Sequence, residues 1–173
     1  ISNNNKEEAI LISGYLVGAE VFLRMTNGLL SYEMGKYGVM IFLLLGMFMG
    51  KLKTKLNPTY FFYILILLIG IVFTQVPDGE SIRKAIIFNL SGPIVLGVSA
   101  LYMNRRRISK AKFYDLLFFM LLPIFSTVAY LYFKTEDIRN IVFGGASNFE
   151  TSGGFGPNQV STIIGFGILL LSI

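Results

Sequence analysis

The run Phe113-Tyr-Asp-Leu-Leu-Phe-Phe-Met-Leu-Leu-Pro-Ile-Phe-Ser-Thr-Val-Ala-Tyr-Leu-Tyr-Phe133 sets the fold class. It carries one charged side chain, Asp115. It is also as long as the ~20 apolar residues that take a helix across a bilayer. Five more apolar blocks flank it: Ala9–Leu23, Tyr37–Gly50, Pro58–Val76, Ala85–Met103 and Val160–Ile173. Pro58–Val76 and Ala85–Met103 approach the same length. The first two blocks are shorter and can lengthen into their polar flanks. No basic stretch precedes Ala9–Leu23 and no small-residue cleavage site follows it, so it reads as a span and not as a secretory signal.

Composition points the same way. Of the 173 residues, 54% are hydrophobic and 14% charged, and the mean hydropathy is +0.65. Soluble domains carry about 25% charged residues. Lipid is the solvent that suits such a chain, and helices satisfy their own backbone groups there. The expected fold is all-α: a polytopic transmembrane helical bundle of about six spans, one transmembrane domain over residues 1–173. The chain opens on Ile1 and closes on Ile173 inside an apolar run, and so reads as cut from a longer multi-span protein. There is no cysteine and no histidine. Disulfides, thiol or imidazole catalysis and Cys/His metal sites are thereby excluded from these residues. No metal and no cofactor is expected.

The segments between the blocks alternate in charge. Lys51, Lys53 and Lys55 follow the second block, and Arg105, Arg106, Arg107, Lys110 and Lys112 follow the fourth, with no acidic residue among them. Asp78 and Glu80 balance Arg83 and Lys84 after the third. Glu136, Asp137 and Glu150 outweigh Lys134 and Arg139 after the fifth. Short basic loops stay in the cytoplasm. The N-terminus and the two basic loops are then cytoplasmic and the others external. The net charge of +5 is spent on topology, and no nucleic-acid partner is expected.

Polar residues beside apolar spans need a reason. Glu20 and Arg24, spaced i, i+4, share a helical face as a possible ion pair. Asn89, Ser91, Gly92 and Pro93 fall in the outer half of the fourth block, where Pro93 predicts a bend or unwinding. Ser126 and Thr127 fall in the outer half of the fifth. Asp115 lies at a cytoplasmic end, close to Lys112. Gly14 and Gly18 form a GxxxG pair that would let another helix approach. Arg24, Glu33 and Lys36 belong either to a solvated interfacial loop or to an anionic-substrate site. Gly153, Gly154 and Gly156 precede Pro157-Asn158-Gln159, where a span begins. Glycines let backbone approach a ligand, and a helix N-terminus favours phosphate. A plain re-entry turn is the alternative.

Four stretches carry a resemblance. They are Gly18-Ala-Glu-Val-Phe-Leu-Arg-Met-Thr-Asn-Gly28, Tyr32-Glu-Met-Gly-Lys-Tyr37, Phe88-Asn-Leu-Ser-Gly-Pro93 and Ser152-Gly-Gly-Phe-Gly-Pro-Asn-Gln-Val-Ser161. Together they resemble the N-terminal half of bacterial O-antigen ligase and polymerase proteins. The resemblance implies a larger multi-pass protein of the bacterial inner (cytoplasmic) membrane. It would transfer a glycan from a polyprenyl-diphosphate carrier to a glycan or lipid acceptor at the periplasmic face, without a metal. The functional arginines and histidine of that family lie in a C-terminal periplasmic loop that nothing here matches, so the catalytic residues are unassigned. The substrate-binding candidates are Arg24, Lys36, Glu20, Asn158, Gly153, Gly154 and Gly156, set at the outer interface around a diphosphate. A secondary transporter or exporter is the competing reading, since broken helices with polar residues are typical there too.

The topology has a direct test. Single cysteines at positions 53 and 106 should stay unlabelled by an impermeant maleimide in intact spheroplasts, and one at 152 should react. Labelling at 53 but not at 152 inverts the orientation.

Overall fold

The computed structural model describes residues 7–28, 33–49, 57–77, 79, 81–135 and 149–173. All regular structure among them is helical: α1 (Glu8–Met25), α2 (Met34–Met49), α3 (Pro58–Gly70), α4 (Ile82–Met103), α5 (Lys110–Lys134) and α6 (Pro157–Leu171). Short 3₁₀ turns add Ile71–Phe73 and Glu150–Ser152. Each helix covers one of the apolar blocks and usually overruns it into capping or charged residues. The basic loop at Lys51–Lys55, together with Asp78, Glu80, Glu136, Asp137 and Arg139, lies outside the described residues.

The described residues cluster into two compact units. One holds the chain up to Ser13 and from Glu33 to Ser109; the other holds Gly14–Tyr32 and Lys110–Ile173.

In the first unit, α4 packs against both α2 and α3. Gly35, Val39, Leu43 and Gly46 form the buried stripe of α2, at helical spacing. Asn57 caps α3 by accepting from the Thr59 amide at 3.0 Å, and Pro58 follows at the first helical position. No residue of α3 is buried; Phe61, Phe62, Ile66 and Ile69 all face outward. Its contact with α4 is made at Gly97, where an added Cβ would lie 2.8 Å from Ile64 Cγ1. The third block was expected to give a span near full length. The helix instead tightens to 3₁₀ after Gly70 and stops at Phe73. Pro77 cannot continue it, and the extended Thr74 turns its hydroxyl back to the Gly70 carbonyl at 3.2 Å. Of the bend or unwinding expected at Asn89–Pro93, the unwinding does not occur: α4 continues as α-helix through the stretch. Proline removes one backbone bond, and the flanking turns hold the rest of the ladder.

In the second unit, α1 meets α5 at the GxxxG pair. A Cβ on Gly18 would fall on the Met120 carbonyl oxygen and within 2.9 Å of Pro123 Cγ. On Gly14 it would fall on the Leu116 side chain. α6 docks on α5 where a Cβ on Gly167 would sit 2.8 Å from Ile124 Cγ2. Val21, Met25, Leu117, Ile124, Val160, Ile163 and Leu170 fill the space between the helices. Thr127, fully buried, donates its hydroxyl to the Pro123 carbonyl at 3.1 Å.

Two helices, α4 and α5, are long and apolar enough to cross a membrane. Only 22% of the most apolar window of each is buried, so most of that surface is left for an apolar surrounding. α2, α6 and the run Pro58–Phe73 are apolar but shorter. Sixteen residues of α2 reach about 24 Å, short of a ~30 Å hydrocarbon core. α1 is long enough but carries Glu8, Glu20 and Arg24. Lys112 reaches Asp115 at 3.6 Å, as the sequence spacing suggested. Arg106 and Ser152, however, have buried side chains. Their exposed neighbours Arg107 and Thr151 are the better sites for topological labelling.

The close approaches predict an order of stabilities. Gly18→Ala should destabilise most, by about 1–3 kcal/mol, because its new methyl meets backbone. Gly14→Ala should cost less, since the flexible Leu116 end can move. Gly165→Ala, with open space around it, should be neutral or gain a few tenths of a kcal/mol from helix propensity. Thermal or denaturant unfolding in detergent reads this order; a Gly18→Ala variant as stable as Gly165→Ala would refute the packing account.

Candidate functional site

Arg24 sits in the last turn of α1, where its charge suits the helix dipole. The chain then closes the helix sharply. Asn27 adopts the left-handed conformation at φ 53°. The Gly28 amide donates to the Leu23 carbonyl at 2.8 Å and the Asn27 amide to the Arg24 carbonyl at 3.2 Å. This is a Schellman closure, and Asn-Gly is the dipeptide that favours it. Phe22, edge-on to Tyr130 at 6.1 Å, holds this end of α1 against α5.

The Arg24 side chain is 9% exposed. Its Nη2 donates to Glu20 Oε1 at hydrogen-bond contact, the expected i, i+4 pair. Its Nη1 donates to Gln159 Oε1 at 3.3 Å. Gln159 belongs to the first turn of α6. The guanidinium is thus held from two sides, by its own helix and by the first turn of α6.

The turn before α6 is built from its own hydrogen bonds. The Gly154 amide donates to Phe149 at 2.8 Å, and the Ser152 hydroxyl to the carbonyl of Phe149 or Phe155. Gly153 and Gly154 have φ of 66° and 80°, a region that glycine enters without strain. The candidate glycines differ in surroundings. A Cβ on Gly153 would crowd Met25 and Leu131 at 3.1 and 3.3 Å, so this residue packs against protein. Gly154 opens on free space and leaves its backbone approachable. Gly156 meets only the Gln159 side chain, at ordinary contact.

The N-terminus of α6 offers less than the sequence suggested. Pro157 has no N–H, and the amides of Gln159 and Val160 already donate to the Gly156 carbonyl at 3.0 and 3.1 Å. The first turn therefore presents the Asn158 amide and the exposed Asn158 side chain. Gln159 was the residue sequence reasoning missed, because its partner lies 135 positions away.

Lys36 lies in the other unit. The apolar block starts at Tyr37, but α2 starts at Met34, which places Lys36 in a helical turn and not in a solvated loop. Glu33, 7% exposed, pairs with Lys36 Nζ at 2.7 Å. Ser91 in α4 donates to Glu33 at 2.7 Å and accepts from Lys36 at 3.2 Å. Glu33 is thus buried in the turn that precedes α2, while Lys36 is half-buried in the helix itself. Arg106 in the same unit has a side chain 4% exposed, stacked on Tyr102 at 3.9 Å and 3.6 Å from Glu7. It does more than mark topology. Among the described residues no group of His, Cys, Asp and Glu is placed to hold a metal.

Comparison with protein families, with curated proteins and with solved structures finds no match to this chain.

A double-mutant cycle tests the site. Glu20→Ala should cost about 1–3 kcal/mol of stability, less than for a fully buried pair because Glu20 is 26% exposed. Removing Arg24 as well should recover part of that loss, because no uncompensated cation remains. Strict additivity in denaturant unfolding would show the two to be independent.

Proposed function

We propose that the chain is a polytopic part of a bacterial inner-membrane protein, with a cytoplasmic N-terminus and about six crossings. Its function would be to ligate or polymerise surface polysaccharide. It would take a glycan from a polyprenyl-diphosphate carrier at the periplasmic face and pass it to a glycan or lipid acceptor. The observation that supports this is Arg24. An arginine held by Glu20 and Gln159 has its fork oriented before any ligand arrives, and that fork matches a diphosphate better than an ammonium does once those contacts yield. Asn158 offers a further donor, and the open space at Gly154 lets a ligand come close to the turn, whose own amide is already spent on Phe149. A polyprenyl carrier keeps its tail in lipid, where the outward apolar faces of α5 and α6 already suit it.

The reading assigns binding, not bond-making, to these residues. Lys36 is engaged with Glu33 and Ser91 and enters this reading less directly than Arg24.

Glu33, Lys36 and Ser91 favour a second reading, a secondary transporter or exporter. Intramembrane ionisable groups commonly mark ion pathways. Ser91 stands nine residues into α4, about 13 Å along its axis, which is deep for an interfacial group.

Turnover of a polyprenyl-diphosphate-linked glycan by the whole protein separates the two. Arg24→Ala should lower it about 10- to 100-fold, the worth of lost charged hydrogen bonds. Arg24→Lys should restore only part, since it lacks the bidentate fork. Full turnover by Arg24→Ala at normal expression would remove Arg24 from the site. Substrate flux in proteoliposomes without any transfer product would favour the transporter.

A further inference from the structure

Lys36 is surrounded by groups that suit any small cation. Its ammonium meets the Glu33 carboxylate at 2.7 Å and the Ser91 hydroxyl oxygen at 3.2 Å, and lies 5.9 Å from the Phe88 ring centroid. The Ser91 hydroxyl spends its proton on Glu33 at 2.7 Å. Both oxygens therefore turn lone pairs to the place the ammonium fills. The Phe88 carbonyl is 3.3 Å from the same hydroxyl. Pro93, lacking an N–H, withdraws the usual helical donor from the Asn89 carbonyl one residue further on.

Carboxylate and hydroxyl are hard oxygen donors of the kind that hold alkali and alkaline-earth ions. Burial is uneven across the cluster. Glu33 and Ser91 are 7% and 5% exposed, while the Lys36 side chain is 27% exposed. The ammonium rides on a flexible stem at the open side, and the oxygens are fixed behind it. A cation in the opening turn of α2 also works against the helix dipole. Packing alone gives no reason to place one there.

We propose that Glu33 and Ser91 form a niche for a monovalent cation, in which the Lys36 ammonium is the resident and a free alkali ion can replace it. Entry of the ion as the ammonium swings out keeps Glu33 neutralised throughout, so the exchange changes no buried net charge. The inference rests on neither the transferase nor the transporter reading.

Lys36→Met keeps the apolar stem and removes the resident charge. Thermal unfolding of the whole protein in detergent is compared in sodium, potassium and choline chloride at equal ionic strength. The unaltered protein should be indifferent to the cation. The Lys36→Met midpoint should rise by several degrees in sodium or potassium over choline. Adding Glu33→Gln should abolish that difference. A folded Lys36→Met protein with one midpoint in all three salts overturns the proposal. So does a response that survives Glu33→Gln, or a Lys36→Met protein that is not monodisperse in any of the salts.

Discussion

A charge on an apolar helix survives only with a partner, and this constraint organises both units. Unpaired, a buried ion costs several kcal/mol in desolvation. Arg24 and Lys36 find their carboxylates close in sequence: Glu20 one turn before Arg24, and Glu33 three residues before Lys36. Neutrality at these two is secured within a single stretch of chain, whereas buried Arg106 takes its carboxylate, Glu7, from the far end of its unit. A third polar group then arrives from a distant helix, Gln159 for Arg24 and Ser91 for Lys36. That hydrogen bond adds only about 1–3 kcal/mol, but it is directional. Faces of Leu, Ile and Phe can slide past each other; a guanidinium bonded to one particular amide cannot.

Small residues supply what the charges do not. Where two apolar helices meet, a small residue lets the backbones approach and adds van der Waals contact that larger side chains would prevent. Gly18 against the Met120 backbone, Gly14 against Leu116, Gly97 against Ile64 and Gly167 against Ile124 are such close approaches. α3 has only the second kind of tie. It buries no residue and shares no polar contact with α4 among those described, so its register rests on Gly97.

Local signals were legible and distant ones were not. Apolar length located all the helices, and i, i+4 spacing found Glu20–Arg24. GxxxG found the α1–α5 contact. Helix ends were less visible, because an apolar block stops where hydrophobicity stops, while a helix runs on to its cap. That difference put Lys36 outside α2, although Glu33 does stand in the turn before it. Ser91 and Gln159 carried no local mark of their partners. Arg106 was hidden by its neighbours, since in a run of three arginines the composition explains all of them equally. Burial on Tyr102 separates it from Arg105 and Arg107. Pro93 signalled one missing backbone bond, and α4 absorbs that loss without unwinding.

The pairing constraint also shapes what the Arg24 site could recognise. Glu20 cancels its charge locally, so the site exerts little long-range pull on an anion. What remains is a set of oriented donors at short range. A ligand would have to replace the Gln159 and Glu20 contacts with better ones, and a phosphate offering two oxygens in the plane of the guanidinium does so. A single-point anion gains nothing from the exchange. Selectivity for a bidentate anion over a simple one then follows from neutrality itself. Glu20, the more exposed partner, is the side chain that would have to yield.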